Sequence, residues 1–262
     1  MKEGGSPMSY ERLFDLTHKV ALVAGAAGGL AGETCLGLNR FGATLALADV
    51  DAKGLTRVCN ELGRKGIKTW SKVVDVSDEA SVESLINALK RNFGRLDILI
   101  NFVGVVWTNP IEKISVAEFQ KVIDINLKGS FLLAQQSLRL MAPKRSGKII
   151  LVGSVSGQIG RPFSAHYSAS KGGVHSLVRT LAVEMANKNI QINAVAPVFT
   201  LTKLSESVLS NPKLKKSILS TIPMGRLGLP SDLVGTMVFL SSAASDFITG
   251  QTLCVDGGCT IS

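Results

Sequence analysis

The sequence predicts an α/β fold, a single doubly wound parallel sheet flanked by helices, and three observations carry that expectation. Short apolar runs alternate with longer amphipathic stretches over most of the 262 residues. The runs are nearly continuous in apolar character, as strands are when helices cover both faces of their sheet. The first run passes straight into a glycine-rich turn that opens a helix, the layout of a strand–turn–helix unit.

Six strands are predicted in order: 19–24 (KVALVA), 44–49 (TLALAD), 69–74, 96–100 (LDILI), 148–152 (KIILV) and 190–195 (IQINAV). Between them, Val82, Leu85, Ile86 and Leu89 recur at i, i+3, i+4 and i+7, with Ser77 as the predicted N-cap. Val174, Leu177, Val178, Leu181 and Met185 form a second helical stripe. Such alternation implies right-handed crossovers, with ligands bound beyond the carboxyl ends of the strands where the winding reverses. No linker or repeat divides the chain. Residues 1–15 (MKEGGSPMSYERLFD) read as a flexible leader and 16–262 as one domain.

Composition narrows the function. A hydrophobic fraction of 45% with 26 glycines suits a buried core joined by tight turns. The net charge of +9 raises the question of nucleic acid, but the lysines and arginines are scattered. With only 5% aromatic residues, platforms for stacking bases are scarce, so no nucleic-acid partner is expected. No run reaches the roughly 18 apolar residues of a membrane span, and the leader lacks the apolar core of a signal peptide. A cytoplasmic protein without membrane partners is the expectation. Cys35, Cys59, Cys254 and Cys259 show no CxxC spacing, and His18, His166 and His175 are too dispersed for a metal site.

Chemistry enters at the first turn. Gly25-Ala26-Ala27-Gly28-Gly29-Leu30 lets the backbone approach a pyrophosphate, which the following helix would hold on its N–H groups. Asp49 ends the second predicted strand, where a carboxylate can accept ribose hydroxyls and repel a 2′-phosphate. NAD is therefore preferred over NADP. The alternative is that Asp49 caps the next helix. Further on, Tyr167 and Lys171 lie four apart on one helical face. A phenol near pKa 10 is a poor base at neutral pH, and an adjacent ammonium together with the oxidised nicotinamide should lower it. Ser154, just past the strand 148–152, is placed to hold a developing oxyanion, with Ser156 as a competitor.

Taken together, these residues resemble the short-chain dehydrogenase/reductase family from about residue 19 to 258. The turn appears as Ala24-Gly25-x-x-x-Gly29-x-Ala31, with Asp75-Val76, Asn101-Phe102-Val103-Gly104, Asp124-Ile125-Asn126-Leu127 and Tyr167-x-x-x-Lys171 following. Ser154 stands thirteen residues before Tyr167, and Pro197-Val198, Thr202 and Val255-Asp256-Gly257-Gly258 close the likeness.

The resemblance implies a Rossmann-like fold with Asn126, Ser154, Tyr167 and Lys171 as catalytic residues. It assigns the dinucleotide to Gly25, Gly28, Gly29, Leu30, Asp49, Asp75, Val76, Asn101, Gly104, Tyr167, Lys171, Pro197 and Thr202. Substrate would meet Ser154, Trp107, Phe163 and Phe199, with Val105, Gln158 and His166 nearby and a mobile lid over 200–221. Ala24, Ala31, Phe102 and Val198 depart from the family's pattern, and Ala31 would add a methyl beside the pyrophosphate.

The implied function is NAD(H)-dependent hydride transfer between nicotinamide and a secondary alcohol or ketone, in a homotetramer. The alternatives are a 3-oxoacyl-thioester reductase, which would favour NADPH, and a catalytically silent dinucleotide sensor or scaffold.

Overall fold

The computed structural model describes residues 10–202 and 211–262. Seven parallel strands form one sheet: β1 (Val20–Ala24), β2 (Thr44–Asp49), β3 (Thr69–Val73), β4 (Ile98–Asn101), β5 (Gly147–Val152), β6 (Ile190–Pro197) and β7 (Thr252–Val255). Their order is β3-β2-β1-β4-β5-β6-β7, so the winding reverses between β1 and β4. Register there pairs Ala24 with Ala48 on one side and with Asn101 on the other, which brings the ends of β1, β2 and β4 level. Asp97 sets that register from the amino end. Its carboxylate accepts the Val20 N–H at 2.9 Å and is held by Arg95.

The helices are α1 (Ala31–Arg40), α2 (Ala52–Arg64), α3 (Glu79–Phe93), α4 (Val116–Ile123), α5 (Gly129–Met141), α6 (Ala165–Met185), α7 (Pro212–Leu219) and α8 (Pro230–Ser241). Because side chains alternate along a strand, each strand feeds two cores. Leu22, Leu99, Ile149 and Leu151 face α3, α5 and α6 through Leu85, Leu133, Val174 and Val178. Val23, Leu45, Leu47, Ile100 and Ile150 face α1, α2 and α8 through Leu38, Leu55, Leu233 and Met237. Truncating one such side chain, as in Leu99→Ala, should cost about 2–5 kcal/mol.

Three sequence expectations change here. The strand β7 lies beyond the six predicted: its four residues form a half-exposed sheet edge, and its apolar part is only Leu253-Cys254-Val255. The N-cap of α3 is Asp78, whose side chain accepts from the Ala80 N–H, whereas Ser77 donates backwards to Asp75. The described part of the expected leader, residues 10–15, is structured: Tyr10–Arg12 form a 3-10 turn, Phe14 leans on Phe41, and the Leu13 carbonyl accepts the Ala244 N–H. Residues 1–9 lie outside the described residues. No described helix is long and apolar enough to cross a membrane.

Candidate active site

The cradle at the end of β1 is built from backbone. Gly25 has φ +77°, and a Cβ there would lie 2.7 Å from the Val103 nitrogen and 2.9 Å from the Phe102 carbonyl carbon. Only glycine lets the turn press on the chain leaving β4. Gly28 and Gly29 line the exposed floor, and a Cβ on Gly29 would come within 2.7 Å of Thr202. Leu30 occupies the N-cap position of α1 and no side chain caps that helix, so its first N–H groups face the turn. This fits a dinucleotide's pyrophosphate. The departures from the family's pattern do not fill the cleft. Ala24 and Ala31 are fully buried, the Ala31 methyl packing into the α1 core rather than beside the phosphates. Phe102 packs against the same core, and Val198 is buried in a small cluster of its own.

Asp49 sits at the lip. One carboxylate oxygen accepts the Ala27 N–H and the other the Asp51 N–H, both at 2.9 Å. The N-cap position of α2 belongs to Asp51, so Asp49 is not the helix cap. It ties β2 to the glycine turn and retains unused acceptor lone pairs. Asp75 is exposed and accepts from Ser77, while Val76 is buried against Gly129. Pro197, the last residue of β6, is buried beside Val255 of β7.

The other half of the candidate site is built from side chains on α6 and on the chain leaving β5. Ser154, mostly buried, leaves β5 in extended backbone and accepts the Ser156 N–H at 3.1 Å. Tyr167 lies in the first turn of α6 and hydrogen-bonds to Ser154. Lys171 is one turn on, its Nζ donating to the Val152 carbonyl at 2.8 Å and lying 5.9 Å from the centre of the Tyr167 ring. Gly104 leaves the approach open, since a Cβ there would stand 3.1 Å from Nζ.

Burial sets the proton affinities. It raises the Tyr167 phenol above its usual 10, with the Ser154 hydrogen bond pulling the other way. It pushes Lys171 down to about 8. In the chain alone, desolvation outweighs the Ser154 hydrogen bond; the lowering expected of the ammonium acting together with an oxidised nicotinamide concerns the dinucleotide-bound state. At neutral pH the pair is phenol and ammonium.

Asn126 and Asn101 are supports beneath the site. A π-helical segment, Asp124–Lys128, joins α4 to α5 and holds Asn126 fully buried. Its side chain bonds both backbone groups of Val105 and the Ser170 hydroxyl, at 2.8–3.0 Å. Ser130 donates to the Asn126 carbonyl at 2.6 Å and accepts from Asn101 at 3.0 Å. Asn101, only 1% exposed, also accepts the Val103 N–H and so shapes the turn after β4.

The expected substrate residues divide. Trp107 is half-buried with Lys121 5.7 Å above its ring, and Phe163 stands 62% exposed at φ +63°. Phe199 instead packs with Val155, Val198 and Ile222, an ordinary apolar cluster. His166 is fully buried, 3.1 Å from Glu118, which also accepts from Asn109, so it stands behind the cleft wall. Of the expected lid, Thr200 bridges to Gly228, and Ile218 on α7 packs against the Phe199 cluster. Residues 203–210 lie outside the described residues.

A dinucleotide cradle and a phenol–ammonium pair thus open onto the same switch point, which defines the class: an oxidoreductase that uses a nicotinamide dinucleotide. The chain belongs to the short-chain dehydrogenase/reductase family. A family model described as enoyl-(acyl carrier protein) reductase matches residues 25–260. The gluconate 5-dehydrogenase of Gluconobacter oxydans is 35% identical over 255 residues, covering 97% of this chain and 100% of that one. The 3-oxoacyl-[acyl-carrier-protein] reductase of Thermotoga maritima is 34% identical over 246 residues, 94% of this chain and 99% of that one. Among solved structures, a gluconate 5-dehydrogenase from Burkholderia cenocepacia in complex with NADP and tartrate superposes with a TM-score of 0.91 at 31% identity, covering 96% and 98% of the two chains. Hydride transfer between a secondary alcohol or ketone and a nicotinamide dinucleotide is the activity of this chain.

Proposed function

We propose that this activity is NAD(H)-dependent, with Tyr167 as the group that gives and takes the proton. The convergence of Ser154, Tyr167 and Lys171 beside Gly104 carries the reading. The bound dinucleotide would supply or accept the hydride. In reduction, Ser154 donates a hydrogen bond to the carbonyl oxygen, and Tyr167 delivers its proton to that oxygen as the alcohol forms. Lys171 then faces the phenolate and offsets its charge. In oxidation the proton returns along the same path.

Asp49 supports NAD, because an anionic side chain at the end of β2, tied to the glycine turn, would repel a 2′-phosphate. The Burkholderia relative was crystallised with NADP, so the choice rests on the Asp49 side chain. Asp49→Arg should shift the NADH-to-NADPH preference at least about tenfold toward NADPH, roughly 1.4 kcal/mol. An unchanged ratio of kcat/KM values would remove the ribose role.

The relatives suggest small hydroxy- or keto-acids or 3-oxoacyl thioesters as substrates. A panel of 5-ketogluconate, a 3-oxoacyl thioester and a cyclic ketone, each with NADH and NADPH and followed at the nicotinamide absorbance, tests the reading. Turnover with NADH is expected. Tight dinucleotide binding without turnover of any carbonyl would favour a silent binder.

A cytoplasmic homotetramer is part of the same reading. Val116, Phe119, Phe131 and Val183 expose apolar surface on α4, α5 and α6 that a second copy could cover. The four cysteines are free thiols, as suits a reducing compartment. Light scattering on the purified protein tests the assembly, and a monomeric mass would remove it.

A further inference from the structure

We infer that His175 is a positioning residue for the reaction: its imidazole accepts the backbone N–H of Ser154 and fixes that serine against the helix that carries Tyr167 and Lys171. The inference rests on the acid–base reading of Ser154 and Tyr167.

Tyr167, Lys171 and His175 succeed one another at four-residue intervals and so share one face of α6. Each meets the chain leaving β5 at a different point. Tyr167 bonds to the Ser154 side chain, Lys171 donates to the Val152 carbonyl at 2.8 Å, and His175 Nε2 receives the Ser154 N–H at 3.4 Å. Two side chains thereby pin the backbone on either side of Gly153.

The space for the imidazole is specific. A Cβ on Gly153 would overlap the His175 ring, and a Cβ on Gly157 would stand 2.8 Å from its Cε1. The same Gly157 Cβ would lie 2.8 Å from the Gly172 nitrogen, so this turn lies directly on the backbone of α6. The ring is thus slotted between two glycines that flank the serine. His175 is 3% exposed and burial keeps it neutral, which leaves Nε2 free to accept while the proton resides on Nδ1. No hydrogen bond within β5 reaches the Ser154 N–H, because the strand ends at Val152. Without His175 that donor would lose its partner, and the serine's backbone would lose one of the tethers that orient its hydroxyl.

The test compares His175→Leu, His175→Gln and His175→Asn with the parent and Ser154→Ala, each as the full chain. Gln can place its oxygen near the position of Nε2, whereas Asn falls short of it. His175→Leu should lower kcat at least about tenfold while the KM for dinucleotide stays within about twofold. His175→Gln should recover most of the loss and His175→Asn little of it. Because His175 acts through Ser154, Ser154→Ala/His175→Leu should be no slower than Ser154→Ala by more than about twofold. Equal activities of the Gln and Asn variants would overturn the inference, and this comparison stands even if the Leu variant does not fold. An impaired Ser154→Ala beside an unimpaired His175→Leu would overturn it alone. An unimpaired Ser154→Ala would instead overturn the acid–base reading on which it rests.

Discussion

The cradle after β1 and the polar wall between β5 and α6 face each other across the switch point, yet they are made in opposite ways. The cradle works by leaving atoms out: Gly25 presses backbone on backbone, and Gly29 makes room for Thr202. The wall works by burying polar side chains, with Lys171 3% and Ser154 7% exposed and each bonded to protein. A surface of backbone N–H groups tolerates substitution wherever the side chain points away from it. A wall of desolvated titratable groups has no such freedom, because every member sets the proton affinity or position of another.

The contrast is sharpest at Tyr167. Tyr167→Phe removes one hydroxyl and little volume, so dinucleotide binding should persist while kcat falls roughly 10²–10⁴-fold, the range for losing an acid–base group. Retained turnover in a stopped-flow assay would leave the phenol without a role.

In the cradle the largest effect belongs to Gly25. Gly25→Ala must hold a side chain at φ +77° and find room for a Cβ 2.7 Å from backbone. Strain of about 1–3 kcal/mol is expected, read as a lower Tm and at least tenfold weaker NADH binding by fluorescence titration. Unaltered affinity and Tm would show that the turn does not depend on the contact with Phe102 and Val103.

The two regions should also differ in their response to acid. His175 in the wall is held down to about 4, first by burial and then by the charges of Lys171 and Arg179. The unfolded chain takes up this proton below its usual 6.5, whereas the folded chain resists until about 4. Stability is therefore lost as pH falls through that window, by about 2 kcal/mol at pH 5 from this group. Urea unfolding between pH 6.5 and 4.5 should show the slope, and His175→Gln should flatten it. An identical slope in the variant would assign the acid sensitivity elsewhere.

These differences track what the sequence made legible. The doubly wound fold was readable because β1, β4 and β5 are buried on both faces and spell apolar runs, while edge strand β7 is only half-buried and its three apolar residues lead straight into Asp256-Gly257-Gly258. Tyr167 and Lys171 were readable from their helical spacing. His175 was not: a histidine inside an apolar stripe becomes informative only when Gly153 and Gly157 are seen to open a slot for it. Asn101 and Asn126 could be located by resemblance, but their burial beneath the site follows from the π-helical segment and Ser130, which no sequence period announces.

The smallest expected effect probes the tolerance of the cradle directly. Ala31 stands where the family's turn has a glycine, and its methyl lies in the core shared by α1 and the sheet. If the cradle recognises its ligand only through backbone, restoring the glycine with Ala31→Gly changes nothing the ligand touches. Affinity for NADH should then stay within about twofold, while stability drops by about 0.5–1 kcal/mol from added chain entropy in the first turn of α1. A marked gain in affinity with unchanged Tm would mean that the methyl does reach the phosphates, and the cradle would then be limited by side chains after all.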